Sequence, residues 1–118
     1  MAYDDLPEIM AIEWASFTAP WYPEMFLAEM DGPVSFSSVA EVEGGVVGYA
    51  TYRVILDEAH LMNIAIAPDH QRKGLGRALM DEVIAHCTGE GAAYMFLEVR
   101  RSNVAAHALY IGMGFTFL

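Results

Sequence analysis

The sequence predicts an α/β fold in which a mixed, mostly antiparallel sheet carries helices on both faces. Three strand-like runs follow one another with only short turns between them, and such neighbours usually pair antiparallel. A helical stretch then separates the third run from a fourth, and this strand, helix, strand order predicts one parallel pair. With 118 residues, of which 55% are apolar, the chain can bury one hydrophobic core, and we expect a single domain over residues 1–118.

The part of the chain before the strands predicts two helices. An aspartate at position 4 or 5 can cap a helix that ends near Phe17, and two prolines beyond it prevent the helix from continuing. A second, short helix over residues 24–30 ends at Asp31-Gly32-Pro33, which is a strong turn signal. The first strand is therefore expected to begin at about residue 34.

Three successive strands are predicted from runs rich in β-branched and aromatic residues. The first two cover residues 34–43 and 46–56, and they are joined by Gly44-Gly45, a pair that tolerates the positive φ angles of a tight hairpin. Asp57-Glu58 predicts the next turn, and the third strand covers residues 60–67 and ends before a proline. These three strands form the antiparallel part of the predicted sheet.

The second half of the chain predicts a helix, a strand and a helix. Residues 74–86 form a helix with one apolar face, made of Leu75, Leu79, Val83 and Cys87. A fourth strand over residues 92–99 leads to a last helix, which Ser102 or Asn103 can cap and which one of the glycines after residue 111 ends. This helix completes the predicted order of elements.

The charge of the chain is strongly negative and unevenly distributed. The formal net charge is -10, which argues against nucleic-acid binding because that needs clustered basic side chains. Residues 1–63 carry eleven acidic side chains and one basic side chain, whereas residues 64–118 carry five of each. Arg72, Lys73 and Arg77 fall within six positions, and they indicate either a local anionic ligand or a solvated helix start.

Cysteine usage and hydropathy indicate a cytoplasmic protein. The single cysteine, Cys87, excludes an internal disulfide, and its place on the apolar helix face predicts core packing rather than a nucleophile. The start of the chain lacks the basic residues and apolar run of a signal peptide. The longest uncharged stretch, residues 102–118, contains polar residues and glycines and is too short for a membrane span.

The segment from residue 71 to residue 77 is the strongest functional feature of the sequence. It joins a predicted strand to a predicted helix, where backbone N–H groups and the positive helix end converge on an anion. Glycines at positions 74 and 76 let an oxygen approach the main chain. A Walker loop would need Lys and Ser or Thr after Gly76, and a dinucleotide fingerprint would need a small residue at Leu79. The segment therefore predicts a pyrophosphate site that is neither of these.

These residues carry a resemblance to a known family. The string NIAIAPDHQRKGLGRALM resembles the acetyl-CoA-binding region of the GNAT acetyltransferase superfamily. Together with LDEAHLMNIAI before it and LEVRRSNVAAHALYIGMGF after it, it is similar to the bacterial ribosomal-protein-alanine N-acetyltransferases of the RimI type. The similarity covers about residues 5–117, and it is weakest between residues 26 and 43. It implies an acyl-CoA N-acyltransferase fold.

The resemblance implies acetyl-CoA as co-substrate and no metal. In such enzymes the loop amides hold the pyrophosphate, and the strand before the loop pairs with the pantetheine arm as if that arm were another strand. Asn103 is a further cofactor contact by resemblance and a plain N-cap on residue type alone, and the two roles are compatible. The implied cofactor-binding residues are Ile64, Ala65, Ile66, Gln71, Arg72, Lys73, Gly74, Leu75, Gly76, Arg77 and Asn103.

The resemblance also assigns the proton-transfer groups. Glu98 is the one carboxylate on the fourth predicted strand, and the resemblance makes it the general base; an exposed strand glutamate is the alternative. Tyr110 is implied as the acid, since a phenol of pKa about 10 can donate to a thiolate of about 8.5; its alternative is core packing. The four histidines and Cys87 show no metal-ligand spacing.

The implied acceptor is the N-terminal α-amine of a protein, in particular a basic ribosomal protein tail. An α-amine has a pKa of about 7.7 to 8.0, against about 10.4 for lysine, so it needs less help from a base. The acidic first half could form an acceptor groove for such a tail, although general surface acidity explains the same count. A lysine or small-amine acetyltransferase and a catalytically silent CoA-binding module are the alternatives.

The resemblance divides the domain into two halves and predicts that two strands of the family fold are absent. Residues 1–60 correspond to the acceptor side and residues 61–118 to the acetyl-CoA side. Against the family pattern, the first and last strands are expected to be absent. Unpaired strand edges and an apolar carboxyl end favour self-association, and the activity of such a chain is then an open question.

Overall fold

The computed structural model describes residues 1–98 and 104–116. A 3₁₀ turn, Tyr3–Asp5, precedes the first helix, and a second one, Pro68–His70, follows the third strand. The elements are α1 (Leu6–Ser16), α2 (Pro23–Asp31), β1 (Ser35–Val42), β2 (Gly45–Ile55), β3 (Glu58–Ile66), α3 (Leu75–Gly89), β4 (Tyr94–Leu97) and α4 (Val104–Gly112). The predicted order of helices and strands is confirmed.

The four strands form one sheet in the order β1-β2-β3-β4. The pairs β1–β2 and β2–β3 are antiparallel, whereas β3 and β4, which the α3 crossover joins, are parallel. The mixed, mostly antiparallel sheet predicted from the sequence is therefore confirmed.

Both hairpin turns lie one residue earlier than predicted. In the first, Glu43 and Gly44 have φ angles of 52° and 82°, and Gly45 already pairs with Val42. In the second, Leu56 has a φ angle of 56°, and Glu58 already pairs with Ile55. Two-residue hairpin turns with positive φ match the twist of the strands. The buried faces of the strands decide the register, so Glu43 and Leu56 adopt left-handed conformations that their residue types do not favour.

The core lies on both faces of the sheet. On one face, α3 packs on β2 and β3 through Ala50, Tyr52, Val54, Ala59, Leu79, Val83 and Cys87. On the other face, α1 and α2 pack through Ile9, Ile12, Phe26, Val46, Tyr49 and Ala65. Neighbouring residues of β2 thus serve opposite faces, as the alternation of a strand requires. Helices on both faces are confirmed.

Cys87 is a core residue, as predicted. It is 2% exposed, and burial raises the pKa of its thiol, so the reactive thiolate is disfavoured.

An ion pair connects α2 to β2. Glu29 is 5% exposed, and its carboxylate accepts hydrogen bonds from both Nε and Nη2 of Arg53, with Nε at 3.2 Å. The hydrogen bond to Glu29 raises the pKa of Arg53. The single basic side chain of the first 63 residues therefore compensates an internal carboxylate.

We expect Leu79→Ala to destabilise the fold by about 2 to 5 kcal/mol, because Leu79 is 3% exposed in the α3 core and its truncation leaves a cavity. Urea denaturation measures the change. Glu82→Ala on the exposed side of the same helix is the control and should stay within about 0.5 kcal/mol. Equal losses in the two variants would contradict the assignment of this helix face to the core.

Candidate active site

The end of β3 presents an open edge, residues 63–66. The parallel pairing with β4 ends at Leu61 and Leu97, whereas the pairing with β2 continues to Ile66. Since the N–H of Ala67 donates to Val47 on β2, the alternation of a strand directs the backbone groups of Ile64 and Ile66 to the opposite edge. In residues 1–98 and 104–116, no strand pairs with this edge.

A β-bulge lies where β3 separates from β4. Thr51 pairs with Asn63 and Tyr52 pairs with Leu61, so Met62 is the extra residue on β3. A bulge bends its strand and increases the local twist. The bulge therefore coincides with the point at which the two parallel strands diverge, and the strand contacts to the cofactor that the resemblance implies, Ile64 to Ile66, follow it along β3.

The loop between β3 and α3 is tied to the open edge. The side-chain amide of Gln71 donates a 3.1 Å hydrogen bond to the carbonyl of Ile66. Arg72 and Gly74 both have positive φ angles, 62° and 80°. Among the described residues, no atom beyond the neighbouring backbone lies within 4 Å of a methyl group added at Gly74, so its left-handed backbone favours glycine. The loop thereby turns sharply into the start of α3.

The start of α3 has the properties of an anion site. Gly74 is its N-cap, and no side chain of residues 1–98 or 104–116 caps the first turn, so backbone N–H groups there can bind a ligand. Arg72 and Lys73 are exposed, and neither forms an ion pair with another described residue. Arg77 pairs with Asp81 at 3.4 Å, but both side chains are more than half exposed. The positive charge of this loop is therefore largely uncompensated.

A cleft of about 850 Å³ lies between β4 and α4. Its walls include Glu98 and Tyr110, the two predicted proton-transfer residues, and also His107. Glu98 is exposed, whereas Tyr110 is 6% exposed. The structure thus brings both predicted residues to one cleft.

Tyr110 is held in an apolar environment. Its ring contacts Phe115 edge-on with 5.8 Å between the centroids, because the chain turns back after α4 and the N–H of Phe115 donates to the carbonyl of Tyr110. Burial raises the pKa of Tyr110 to about 12. Its hydroxyl therefore remains protonated at every physiological pH.

The start of α3 and the cleft adjoin each other at Gly76. A methyl group at this position would lie 3.8 Å from Ile66 on β3 and 3.8 Å from Leu109 on α4. Leu109 directly precedes Tyr110. The first turn of α3 therefore lies between the open β3 edge and the helix that carries the predicted acid.

Sequence reasoning missed a buried carboxylate on the other face of the sheet. Glu13 of α1 is 1% exposed and accepts hydrogen bonds from the backbone of Trp21 at 2.8 Å, the side-chain amide of Asn63 at 2.8 Å and the hydroxyl of Tyr49. Burial and the hydrogen bond to Glu13 raise the pKa of Tyr49. The available signal was an acid beside Ile12 on the apolar stripe of a helix.

Three further expectations from the sequence concern Asn103, a metal site and a membrane span. Asn103 lies outside the described residues, so its cofactor contact stays a prediction. Among residues 1–98 and 104–116, no group of three or more His, Cys, Asp or Glu side chains is arranged to hold a metal ion. In the same part of the chain, no helix combines the length and apolarity that crossing a membrane requires.

Comparison with known proteins identifies the family of this chain. Residues 6–115 match the Acetyltransferase (GNAT) family. The chain is 42% identical over 111 residues to the [ribosomal protein bS18]-alanine N-acetyltransferase of Escherichia coli K12, which covers 94% of this chain and 74% of that protein.

Solved structures share the fold. The crystal structure of the ribosomal-protein-S18-alanine N-acetyltransferase from Escherichia coli superposes with a TM-score of 0.92 and 39% identity, over 100% of this chain and 76% of that one. The PaiA N-acetyltransferase from Thermoplasma acidophilum, solved in complex with coenzyme A, has a TM-score of 0.84 over 100% of this chain and 87% of that one, and at 16% identity it shares the fold alone. With the family match and the 42% identical relative, these findings establish that the chain is an N-acetyltransferase and belongs to the GNAT acetyltransferase family.

Proposed function

We propose that this protein transfers an acetyl group from acetyl-CoA to the N-terminal α-amine of a ribosomal protein, with bS18 as the model acceptor. The observation that carries the proposal is the open β3 edge next to the uncapped start of α3, in a chain 42% identical to a bS18-alanine N-acetyltransferase. An extended amide-containing arm fits the edge, and a pyrophosphate fits the helix start.

Acetyl-CoA supplies the acetyl group as a thioester. In the proposed complex, Ile64, Ala65 and Ile66 line the pantetheine arm, and the backbone of residues 72–77 holds the pyrophosphate. Gln71 keeps the loop against the strand through its bond to Ile66. The cations of this loop lower the free energy of a bound anion through their uncompensated charge.

Glu98 and Tyr110 transfer the protons in this proposal. Glu98 takes a proton from the α-ammonium group of the acceptor, directly or through a water molecule, and the neutral amine nitrogen then attacks the thioester carbonyl. As the carbon–sulfur bond breaks, Tyr110 protonates the sulfur, and the proton that the acylated nitrogen still has to lose returns to the Tyr110 phenolate. Both residues line one cleft. Burial raises the pKa of Tyr110 to about 12, which keeps the phenol protonated before the reaction and makes it a weaker acid than a free phenol, so its contribution depends on its proximity to the sulfur.

The acceptor side is proposed to comprise residues 1–60, and the acetyl-CoA side residues 61–118. Of the eleven acids in residues 1–63, Glu13 and Glu29 are buried, so the attraction of a basic tail depends on the others. An acceptor of this kind also supports the cytoplasmic location, because ribosomes are cytoplasmic. Self-association through strand edges stays a prediction.

The function is tested with acetyl-CoA and two peptides of matched length, one that begins with alanine and one with a blocked N-terminus and an internal lysine. Release of free CoA should be much faster with the first peptide. Preference for the lysine peptide would favour the alternative acceptor, and CoA binding without turnover on either would favour a silent module.

Gly74→Ala should weaken acetyl-CoA binding by about tenfold, since an L-residue in the left-handed conformation is strained by roughly 1 to 2 kcal/mol. Calorimetry measures the affinity. Gly89→Ala at the other end of α3, which does not have a positive φ angle and has no atom within 4 Å of an added methyl, is the matched control. The role of the loop would be refuted if both variants bound acetyl-CoA as the unmodified protein does.

Glu98→Gln should lower kcat by about a hundredfold at pH 7, because general-base catalysis typically contributes 10²- to 10⁴-fold. The deficit should shrink toward pH 9, where most α-amines are already neutral. Initial rates with the alanine peptide measure both effects, with Glu41→Gln, an exposed β1 residue, as control. A deficit that does not change with pH would argue against the base role.

Tyr110→Phe should lower kcat by about a hundredfold while changing acetyl-CoA affinity by less than about threefold. In the unmodified enzyme, the protonated phenol is the active form and its pKa is raised to about 12, so kcat should not fall between pH 8 and about 10 through this group. Tyr3→Phe, at an exposed tyrosine, is the control. A loss of activity near pH 10 that disappears in Tyr110→Phe would contradict the raised pKa.

A further inference from the structure

Glu13 is a buried carboxylate that no cation among the described residues compensates. It is 1% exposed, and its partners are three uncharged donors. Burying a charged or polar group without partners is strongly unfavourable. Since the donors come from three separate parts of the chain, the position of Glu13 constrains all three.

The two carboxylate oxygens have different partners. Oε2 accepts the backbone N–H of Trp21 at 2.8 Å, in the α1–α2 segment (residues 17–22). Oε1 accepts the amide of Asn63 at 2.8 Å and the hydroxyl of Tyr49. Asn63 is the first residue of the open β3 edge, so one side chain connects that edge to the α1–α2 segment.

The α1–α2 segment packs through Phe17 and Trp21 on the face of the sheet that α1 and α2 cover. Met95 packs on the α3 core, so by alternation Phe96 belongs to the opposite face, where it stacks with His60 at 5.4 Å. Glu98 follows two residues later. Tyr22 at the end of this segment is 63% exposed and Trp14 of α1 is 66% exposed, so both can contact a peptide.

We propose that Glu13 is a positioning residue for the acceptor: it holds the backbone of the α1–α2 segment at a fixed place relative to the open β3 edge, and so aligns the incoming peptide with the thioester. The inference rests on the proposed function. Glu13 touches neither substrate, so its effect should appear in acceptor KM and not in acetyl-CoA affinity.

Glu13→Gln tests the proposal with the smallest change of shape. The amide oxygen can still accept from Asn63 and Tyr49, but the amide nitrogen cannot accept from Trp21. We expect acceptor KM to rise about tenfold, with kcat and acetyl-CoA affinity each within about twofold.

Glu29→Gln is the matched control. It makes the same substitution at a carboxylate that is also buried, on α2, but bonded to Arg53 instead of Trp21. It should leave acceptor KM within about twofold. The proposal fails if Glu29→Gln raises acceptor KM as much as Glu13→Gln, or if Glu13→Gln weakens acetyl-CoA binding equally.

A second measurement, hydrogen exchange of the Trp21 amide, uses the unmodified protein. It therefore tests the proposal even if Glu13→Gln does not fold. A bonded N–H in a fixed segment should exchange at least about a hundredfold more slowly than in an unstructured peptide. Exchange at the unprotected rate would overturn the positioning role, whatever the acceptor is. Lack of turnover of the alanine peptide by the unmodified protein would instead refute the proposed function and leave this measurement valid.

Discussion

In residues 1–98 and 104–116, the strand β3 has two strand neighbours at its start and one at its end, and this asymmetry determines the rest of the site. Backbone N–H and C=O groups along the open edge need partners, and Gln71 supplies one for the carbonyl of Ile66. The bulge at Met62 bends β3 where β4 ends its pairing. The remaining groups can be satisfied by an extended ligand that carries its own amides, which is what a pantetheine arm provides.

The two faces of the sheet differ in the polarity of the side chains that they bury. The α3 face is an apolar core. Its helix begins beside Arg72 and Lys73, which pair with no other described residue, and no described side chain caps its first N–H groups. The opposite face contains two buried carboxylates, Glu13 and Glu29. Glu29 has a cationic partner, Arg53, whereas the partners of Glu13 within the described part of the chain are neutral donors. Part of the negative charge of the first half is therefore structural and does not contribute to the attraction of an acceptor.

The helices and strands could be predicted because apolar periodicity reports directly which side of each element is buried. The predicted positions of both hairpin turns were wrong by one residue. Gly44-Gly45 and Asp57-Glu58 are residue types that favour turns, but the pairing of the strands decides where each turn lies. Within the site, the loop was predictable from its glycines and cations. The roles of Glu98 and Tyr110 depended on family resemblance, because an exposed glutamate and a helix tyrosine carry no chemical signal on their own.

By itself, then, the sequence determined the fold class, the order of its elements and the sharp glycine-containing, basic loop between β3 and α3, because each of these follows from local periodicity and local residue types. The tertiary structure alone decided where β3 loses its neighbour, that Glu98 and Tyr110 line one cleft, and that Glu13 meets Trp21 and Asn63. Such contacts join residues up to fifty positions apart, and only the packing of the helices on the sheet brings them together.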